Sequence, residues 1–435
     1  MTVPSVGDDV PVTRSEENQK PTITRSGGIL VGVVSIFSAL TGFIAMTLSV
    51  RVLDEADASD FLLYWSAAFF CFGLTNGFNL EMARSVTATE TSSSITPRAV
   101  RARIAMGWVI VGAAVIAAAA SPTLRFALPS MGSEELPSVA VALVVGISGY
   151  AGQATLLGAM VAAGAWRLYL AVLTLESTVR LILLLAAVYF RWPVEVWFFS
   201  ISLAEVVWVF FLFLPGTRAV IQQLLDEGLL VYVRRGLAGL LGQGASAALV
   251  VGFPVLLSIF SDPSVIAASA GLILAISLTR APLMVPLTAF QSIAVSYFTS
   301  RNDHPLIRAF RILAVILIIG VIGAIAAWLI GPWLFDLLAG QRLGGALLAA
   351  LTFGATTLAG VTLTGVLCQS QTAYRSYLAG WVTAVLIAIM FLALPWSLEV
   401  RAVAALIGGP LAGATVHLVR LGMMSKTPKI LSSEE

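Results

Sequence analysis

The chain has 435 residues, of which 58% are hydrophobic and only 11% are charged, and its formal net charge is +2. Soluble domains carry about 25% charged residues, so this composition excludes a water-soluble globule and predicts that the lipid bilayer is the solvent. The small net charge does not indicate nucleic-acid binding. Cys71 and Cys368 both lie in apolar runs, which favours small buried side chains over a disulfide or a metal site.

Twelve apolar runs follow a polar N-terminal stretch, which we interpret as disordered because it cannot bury apolar surface. A membrane-spanning helix needs about 20 mainly apolar residues. The predicted spans cover residues 28–50, 61–82, 104–122, 138–163, 168–190, 194–214, 236–259, 265–295, 309–330, 345–368, 374–394 and 400–420.

One phrase occurs twice: AWRLYLA at 165–171 and AYRSYLA at 373–379, 208 residues further on. The same shift places spans one to six on spans seven to twelve, which predicts a six-span internal repeat. Since six is even, both halves insert in the same direction, and their pseudo-twofold axis runs along the membrane normal. We therefore predict an all-α integral membrane protein with twelve transmembrane helices in two parallel six-helix lobes.

Basic residues are distributed unevenly between the two sides of this arrangement. The N-terminus, the even-numbered connections and the C-terminus carry 18 of the 25 Lys and Arg residues, whereas the odd-numbered connections carry five. Because cytoplasmic segments are enriched in Lys and Arg, both termini are predicted to be cytoplasmic. The repeated phrase then lies at the cytoplasmic face, where Arg167 and Arg375 can meet lipid phosphates. We interpret it as a structural anchor, with a substrate site as the alternative.

The predicted domains follow from these spans. They are a disordered cytoplasmic tail at 1–26, an N-terminal lobe at 27–214, a cytoplasmic linker at 215–235, a C-terminal lobe at 236–421 and a cytoplasmic tail at 422–435. The middle of the linker, AVIQQLLDEGLLVYV, is amphipathic and predicts a short helix on the membrane surface.

Arg280 lies near the middle of the eighth span, in ISLTRAPLMVPLTAFQ. An ionisable residue at that depth costs about 2.5–3.5 kcal/mol on insertion scales, so Arg280 is a candidate substrate-binding residue. Pro282 and Pro286 follow it and predict a bend in the helix. Two interpretations remain open: Arg280 lines a water-filled cavity, or it pairs with a neighbouring carbonyl or carboxylate and holds two helices together.

A second set of ionisable residues is predicted in the first half. Glu176 and Arg180 are four residues apart in span five and share one helical face. Span six runs back beside span five, so Glu205 reaches a similar depth and Arg180 can bridge two carboxylates. This cluster is either structural or an ion-coupling site, because a proton or a sodium ion could neutralise its surplus negative charge. Neutral polar side chains that we expect to contribute to substrate binding are Asn76, Gln243 and Gln291.

The sequence contains no soluble catalytic module. It has no P-loop, which argues against an ATPase domain, and no HExxH metal motif. We therefore predict a protein that is not an enzyme and needs no cofactor or metal. A polytopic glycosyltransferase is the least favoured alternative, and it depends on the four acidic residues of the first outer loop: Asp54, Glu55, Asp57 and Asp60.

Two stretches resemble a known transporter family. VRVLDEADASDFLLYWSAAFFCFGLTNGFNLEMARSV at 50–86 and GAMVAAGAWRLYLAVLTLESTVRLILL at 158–184 are similar to the polysaccharide-synthesis transporters, the O-antigen-flippase-like branch of the multidrug/oligosaccharidyl-lipid/polysaccharide exporter superfamily. In that family the second span ends with a basic residue at the cytoplasmic face, and the matching residue here is Arg84. The connection ARSVTATETSSSITPRAVRAR lacks the Gly-Asp-Arg-rich signature of major facilitators.

This resemblance implies a V-shaped molecule whose lobes enclose a central cavity, often cationic, lined by spans one, two, seven and eight. It implies a flippase that moves a polyprenyl-phosphate-linked saccharide from the inner to the outer leaflet. We expect this flippase in a bacterial plasma membrane, with membrane lipids as partners and, if the cluster of Glu176, Arg180 and Glu205 is an ion-coupling site, a proton or sodium ion as well. Arg280 matches a cationic cavity position of the family, and Arg84 is a second expected substrate contact. A small-molecule or drug antiporter of the same fold is the alternative.

Overall fold

The structure, a computed structural model, is helical through nearly all of the chain that it describes. The described residues are 25–91, 100–128, 131–225, 228–289, 305–371 and 373–426. Residues 1–24 and 427–435 of the two predicted tails lie outside these ranges, and so does the predicted site residue Gln291.

The first half of the chain forms eight α-helices, and a 3-10 helix at Val207–Phe213 continues the seventh. They are α1 (Arg25–Val52), α2 (Glu55–Thr91), α3 (Ala102–Ala120), α4 (Leu124–Ala127), α5 (Leu136–Ala162), α6 (Trp166–Phe190), α7 (Val194–Ala204) and α8 (Pro215–Ile221). The helices described in the second half are α9 (Leu229–Val250), α10 (Phe253–Ile259), α11 (Pro263–Ala267), α12 (Ala270–Ala289), α13 (Pro305–Leu329), α14 (Gly331–Ala339), α15 (Gly345–Ser370), α16 (Tyr374–Leu392) and α17 (Leu398–Lys426).

Ten helical segments of the described residues are long and apolar enough to cross a membrane, and they match the predicted spans one to six and nine to twelve. Predicted spans seven and eight are interrupted: α9 is followed by α10, and α11 by α12. The break before α10 falls at Gly252, and Pro254 lies in the first turn of α10, where the missing N–H of proline does no harm. By contrast, α12 stays helical through Pro282 and Pro286.

The outer surface of the bundle is apolar. The side chains of Val315, Ile318, Ile322 and Ile325 on α13 are all exposed, and the span that contains them has a mean hydropathy of 2.9. Water-soluble proteins rarely leave large contiguous apolar patches exposed, so this helix needs lipid as its solvent.

The backbone repeats where the sequence repeats. The N–H of Ala165 donates to the carbonyl of Met160 over 2.8 Å, and 208 residues later the N–H of Ala373 donates to the carbonyl of Cys368 over 2.8 Å. The first alanine has φ −80° and ψ 50°, and the second has φ −86° and ψ 56°. Both copies of the repeated phrase therefore start a membrane helix through the same turn.

Helix packing follows the same repeat. In the first half α1 packs on α6, α2 and α3 on α5, and α7 on both α5 and α6; in the second half the equivalent pairs form, with α9 on α16, α12 and α13 on α15, and α17 on both α15 and α16. This confirms the prediction of two six-helix lobes. The lobes meet where α1 and α2 pack against α9 to α12.

The prediction of one surface helix across residues 219–233 is wrong. The backbone there is not one helix, because the carbonyl of Gln223 accepts from the N–H of Ala102 and the N–H of Leu225 donates to the carbonyl of Val100, each over 2.9 Å. These groups pair with a neighbouring segment of the chain instead of with their own turn. The segment ends one helix, α8, and leads into the next, α9.

Candidate functional site

A cavity of about 500 Å³ lies at the junction of the lobes, and we call it the arginine cavity. Its wall includes α1, α2, α9 and α12, which are the spans one, two, seven and eight that the family resemblance implies, and α6 joins them. The lining residues are Val34, Ser35, Ser38, Ala39, Gly42, Phe43, Met46, Trp65, Ser66, Phe69, Leu173, Arg180, Val250, Val251, Ser277, Arg280 and Met284.

Arg280 is buried in this wall and is held by the end of α9. Its Nη1 donates to the carbonyl oxygens of Leu249, at 2.9 Å, and Val250, at 3.1 Å. These carbonyls belong to the last turn of a helix, where they have no partner within the helix and where the helix dipole favours a cation. The guanidinium also lies 5.3 Å from the ring centre of Phe253.

The other end of the Arg280 guanidinium is buried in the cavity wall. Its Nη2 has no hydrogen-bond partner among the described residues, and no described carboxylate forms an ion pair with it. The two interpretations that the sequence left open are therefore combined in one side chain. Nη1 holds two helices together through carbonyl oxygens, while the side chain also lines the cavity.

Arg180 bridges two carboxylates, as the sequence predicts. It forms an ion pair with Glu176 on its own helix, and its Nη1 lies 3.8 Å from Oε1 of Glu205. The guanidinium stacks against the rings of Trp65 and Phe69, at 5.7 and 5.3 Å. All three members of this carboxylate cluster, Glu176, Arg180 and Glu205, are buried. Glu205 follows the last residue of α7, where the α-helix gives way to the 3-10 helix.

Two features of the cluster were not predicted. Arg180 lines the same cavity as Arg280, so the two arginines face one space from different lobes. Oε2 of Glu205 is buried without a hydrogen-bond partner among the described residues. A helical spacing shows which side chains share a face, but it does not show which neighbour that face meets.

Asn76 and Gln243 line a second cavity of about 580 Å³, which we call the amide cavity. It adjoins the arginine cavity, because the two share several lining side chains. The residues that line it are Phe69, Phe72, Gly73, Asn76, Leu80, Tyr150, Gln243, Ser246, Ala247, Val250, Val251, Met284, Thr362, Val366, Gln369, Tyr377 and Trp381.

Arg84 does not join the other predicted substrate contacts. Its Nη2 lies 2.7 Å from Oε1 of Glu81 one turn earlier, and Arg235 approaches the same carboxylate at 3.8 Å. Arg84 lines neither the arginine cavity nor the amide cavity. Within the described residues, no three His, Cys, Asp or Glu side chains lie close enough together to hold a metal ion.

The lining residues that the sequence patterns did not single out include Tyr150, Gln369, Tyr377 and Trp381. Three are aromatic residues in apolar runs, where an aromatic side chain normally packs in the core or faces lipid. Tyr377 carried a signal, because it belongs to the repeated phrase AYRSYLA. That copy of the phrase begins α16 and also supplies a cavity residue, while Arg167 and Arg375 are exposed.

Comparison with solved structures defines the class of the fold. An inward-facing multidrug resistance MATE family transporter of the MOP superfamily superposes with a TM-score of 0.65 at 16% identity, over 92% of this chain and 99% of that one. The lipid II flippase MurJ in an inward closed conformation superposes with a TM-score of 0.69 at 10% identity, over 91% of this chain and 87% of that one. The protein is a multi-pass membrane protein with the fold of the MOP-superfamily transporters.

Sequence comparison defines the family within that class. The chain is 34% identical over 402 residues to the uncharacterized protein Rv1510 of Mycobacterium tuberculosis, covering 92% of both chains. It is 32% identical over 425 residues to the uncharacterized protein Mb3654 of Mycobacterium bovis, covering 96% of this chain and 97% of that protein. The chain belongs to the family of these mycobacterial proteins. No protein-family model matches it.

Proposed function

We propose that the protein is a transporter that moves a polyprenyl-phosphate-linked saccharide from the inner to the outer leaflet by alternating access. We further propose that it works in a bacterial plasma membrane with both termini in the cytoplasm, as the distribution of Lys and Arg favours. The observation that carries the proposal is the charge of the cavity walls. Among the residues that line the arginine and amide cavities, the charged ones are Arg180 and Arg280, and none is acidic.

The anionic headgroup of such a lipid meets its main barrier at the bilayer centre, where a bare charge is very costly. A buried guanidinium offsets that cost, because it keeps its positive charge and offers donors in a planar fork that fits phosphate oxygens. In Arg280 one nitrogen already holds the side chain in place, while Nη2 is without a partner among the described residues. This group is therefore our proposed phosphate contact.

The carboxylate cluster supports a role in coupling. With both carboxylates ionised, Glu176, Arg180 and Glu205 carry one net negative charge, which balances the positive charge of Arg280 across the cavity region. A proton or sodium ion bound at the cluster would leave this region net positive and would strengthen phosphate binding. We propose that the coupling ion acts in this way.

A drug antiporter is the second candidate, because the same negative cluster could exchange a proton or sodium ion for an organic cation. The cavity linings argue against it, since a cation in either space would face arginine and no carboxylate. We do not propose a glycosyltransferase. Of its expected acidic residues, Asp54 accepts a hydrogen bond from the N–H of Asp57 over 2.9 Å and caps α2, and Asp60 is buried.

The test uses the purified protein in liposomes with a fluorescent undecaprenyl-diphospho-sugar in both leaflets. A membrane-impermeant reductant then reports how much label reaches the outer leaflet. Arg280→Ala should abolish movement of the label, and Arg280→Lys should retain part of it because the charge survives without the planar fork. Arg342→Ala is the matched control, since Arg342 is highly exposed and pairs with Asp336 outside both cavities.

Two outcomes would overturn the proposal. If Arg280→Ala moves the lipid at the parent rate, Arg280 is not the phosphate contact. If the parent protein moves ethidium across the liposome membrane but does not move the labelled lipid, the antiporter is the correct function. Thermal melting of each variant separates loss of transport from loss of folding.

A further inference from the structure

The amide cavity is chemically different from the arginine cavity beside it. All of its lining side chains are uncharged, yet they include three carboxamides, two aliphatic hydroxyl groups and a cluster of aromatic rings. The two cavities share Phe69, Val250, Val251 and Met284, so one extended ligand can occupy both. At about 580 Å³ the amide cavity also falls within the range of about 300–1,000 Å³ that is usual for small-molecule sites.

The three carboxamides come from three different helices: Asn76 from α2, Gln243 from α9 and Gln369 from α15. None of these side chains forms a hydrogen bond with another described residue. Each amide offers two N–H donors and a carbonyl acceptor. Left without a partner in an apolar environment, each would cost free energy, so the cavity favours a ligand that both donates and accepts hydrogen bonds.

The hydroxyl groups in the cavity wall have acceptor capacity to spare. Ser246 Oγ donates to the carbonyl of Gln243 over 2.9 Å, and Thr362 Oγ1 donates to the carbonyl of Leu358 over 2.8 Å. Each hydroxyl has thereby used its one hydrogen. The oxygen of Thr362 can still accept, and so can Ser246 Oγ through the lone pair that its hydrogen bond with the Tyr377 hydroxyl leaves unused. These oxygens are complementary to O–H groups of a ligand.

Aromatic rings form much of the remaining wall. Phe72 and Tyr150 are stacked with their centres 4.7 Å apart, and Tyr377 and Trp381 lie on α16. Trp381 is 2% exposed, and its Nε1 has no hydrogen-bond partner among the described residues. The negative faces of such rings attract the weakly positive C–H groups on the flat side of a sugar ring.

We propose that the amide cavity binds an uncharged sugar unit of the transported lipid. This inference rests on the proposed function, in which Arg280 holds the phosphate in the adjoining cavity, and it adds the class of the sugar. A uronic acid or an amino sugar would bring a charge into a space whose wall has no counter-ion, at a high desolvation cost. A purely apolar chain would leave the three carboxamides unpaired.

The inference is tested by binding of three probes to the purified full-length protein in nanodiscs. They are farnesyl diphosphate, farnesyl-diphospho-glucose and farnesyl-diphospho-glucuronate. The glucose probe should bind about 10-fold more tightly than farnesyl diphosphate, because it adds several neutral hydrogen bonds of modest net strength. The glucuronate probe should show none of this gain.

Substitutions test whether the tighter binding of the glucose probe arises in the amide cavity. Gln243→Ala and Asn76→Ala should each remove most of the advantage of the glucose probe and leave the affinity for farnesyl diphosphate unchanged. Gln153→Ala is the matched control, because Gln153 is an amide in a membrane span that lines neither cavity. It should leave all three affinities unchanged, and a melting curve for every variant verifies folding.

Two outcomes separate this inference from the proposed function. If farnesyl diphosphate binds through Arg280 but glucose adds nothing, or if glucuronate binds as tightly as glucose, the neutral-sugar site is wrong and the phosphate contact stands. If no probe binds, the proposed function is wrong as well.

Discussion

Arg180 on α6 and Arg280 on α12 line the same cavity from opposite lobes, but the protein holds them in different ways. Arg180 lies between the carboxylates of Glu176 and Glu205. Arg280 is held by carbonyl oxygens at the end of α9 and has no carboxylate partner among the described residues. Charge can therefore be changed at the cluster without touching Arg280, and the proposed phosphate contact, Arg280, can be changed without touching the cluster.

The orientation in the membrane can be tested directly by cysteine labelling. In a chain whose Cys71 and Cys368 are replaced, single cysteines at Asp57 and Glu134 should react with an impermeant maleimide added to intact cells. A cysteine at Ser93 should react only after the cells are opened, because its connection is rich in arginine. Labelling of position 93 in intact cells would show that the orientation is inverted.

Loss of Arg180 should destabilise the N-terminal lobe. Arg180→Ala leaves Glu176 and Glu205 buried without their cation, and removing one partner of a buried ion pair costs about 3–5 kcal/mol. The melting temperature in detergent should fall clearly. Replacing all three residues with apolar ones of similar volume should recover much of the loss, because no unpaired charge remains. An Arg180→Ala variant with the parent's melting temperature and no transport would contradict a structural role and favour ion coupling.

Packing in the C-terminal lobe depends on a glycine that faces a histidine. A Cβ at Gly380 would overlap the ring of His417. That ring is fixed at both nitrogens, with Nε2 donating to the carbonyl of Tyr377 and Nδ1 bonded to Thr364 Oγ1, each over 2.9 Å. Gly380→Ala should therefore cost about 1–3 kcal/mol through overpacking.

The matched control for this substitution is Gly107→Ala. A Cβ at Gly107 meets nothing within 4 Å, and the residue lies inside helix α3. There alanine should be neutral or stabilising by about 0.5–1 kcal/mol, because glycine weakens a helix interior. Equal melting temperatures for the two variants would show that the contact with His417 is not tight.

The sequence predicts the number of spans, their repeat and the bridging of Glu176 and Glu205 by Arg180, because hydrophobic length and helical spacing are local properties. It does not predict that Arg180 faces the cavity, since the rotation of α6 about its own axis depends on packing against α1 and α7. The same limit applies to Trp381, whose position in an apolar run resembles that of a lipid-facing residue. Arg84 was expected at the substrate, but a carboxylate one turn away, Glu81, pairs with it.

The coupling proposal makes its sharpest prediction at Glu205. Glu205→Gln removes one negative charge from the cluster and keeps nearly the same side-chain shape. The net charge of the cluster and Arg280 together therefore shifts from zero to positive. Farnesyl diphosphate should then bind several-fold more tightly than to the parent. The repulsion between one buried carboxylate and the bound diphosphate is lost, and such an interaction contributes on the order of 1 kcal/mol or more. The affinity should also depend less on pH or sodium, because the site of the coupling ion is gone. Glu399→Gln, at the start of α17 and outside both cavities, is the matched control for loss of a carboxylate. If Glu205→Gln has a normal melting temperature and binds farnesyl diphosphate no more tightly than the parent, the cluster does not set the charge of the cavity.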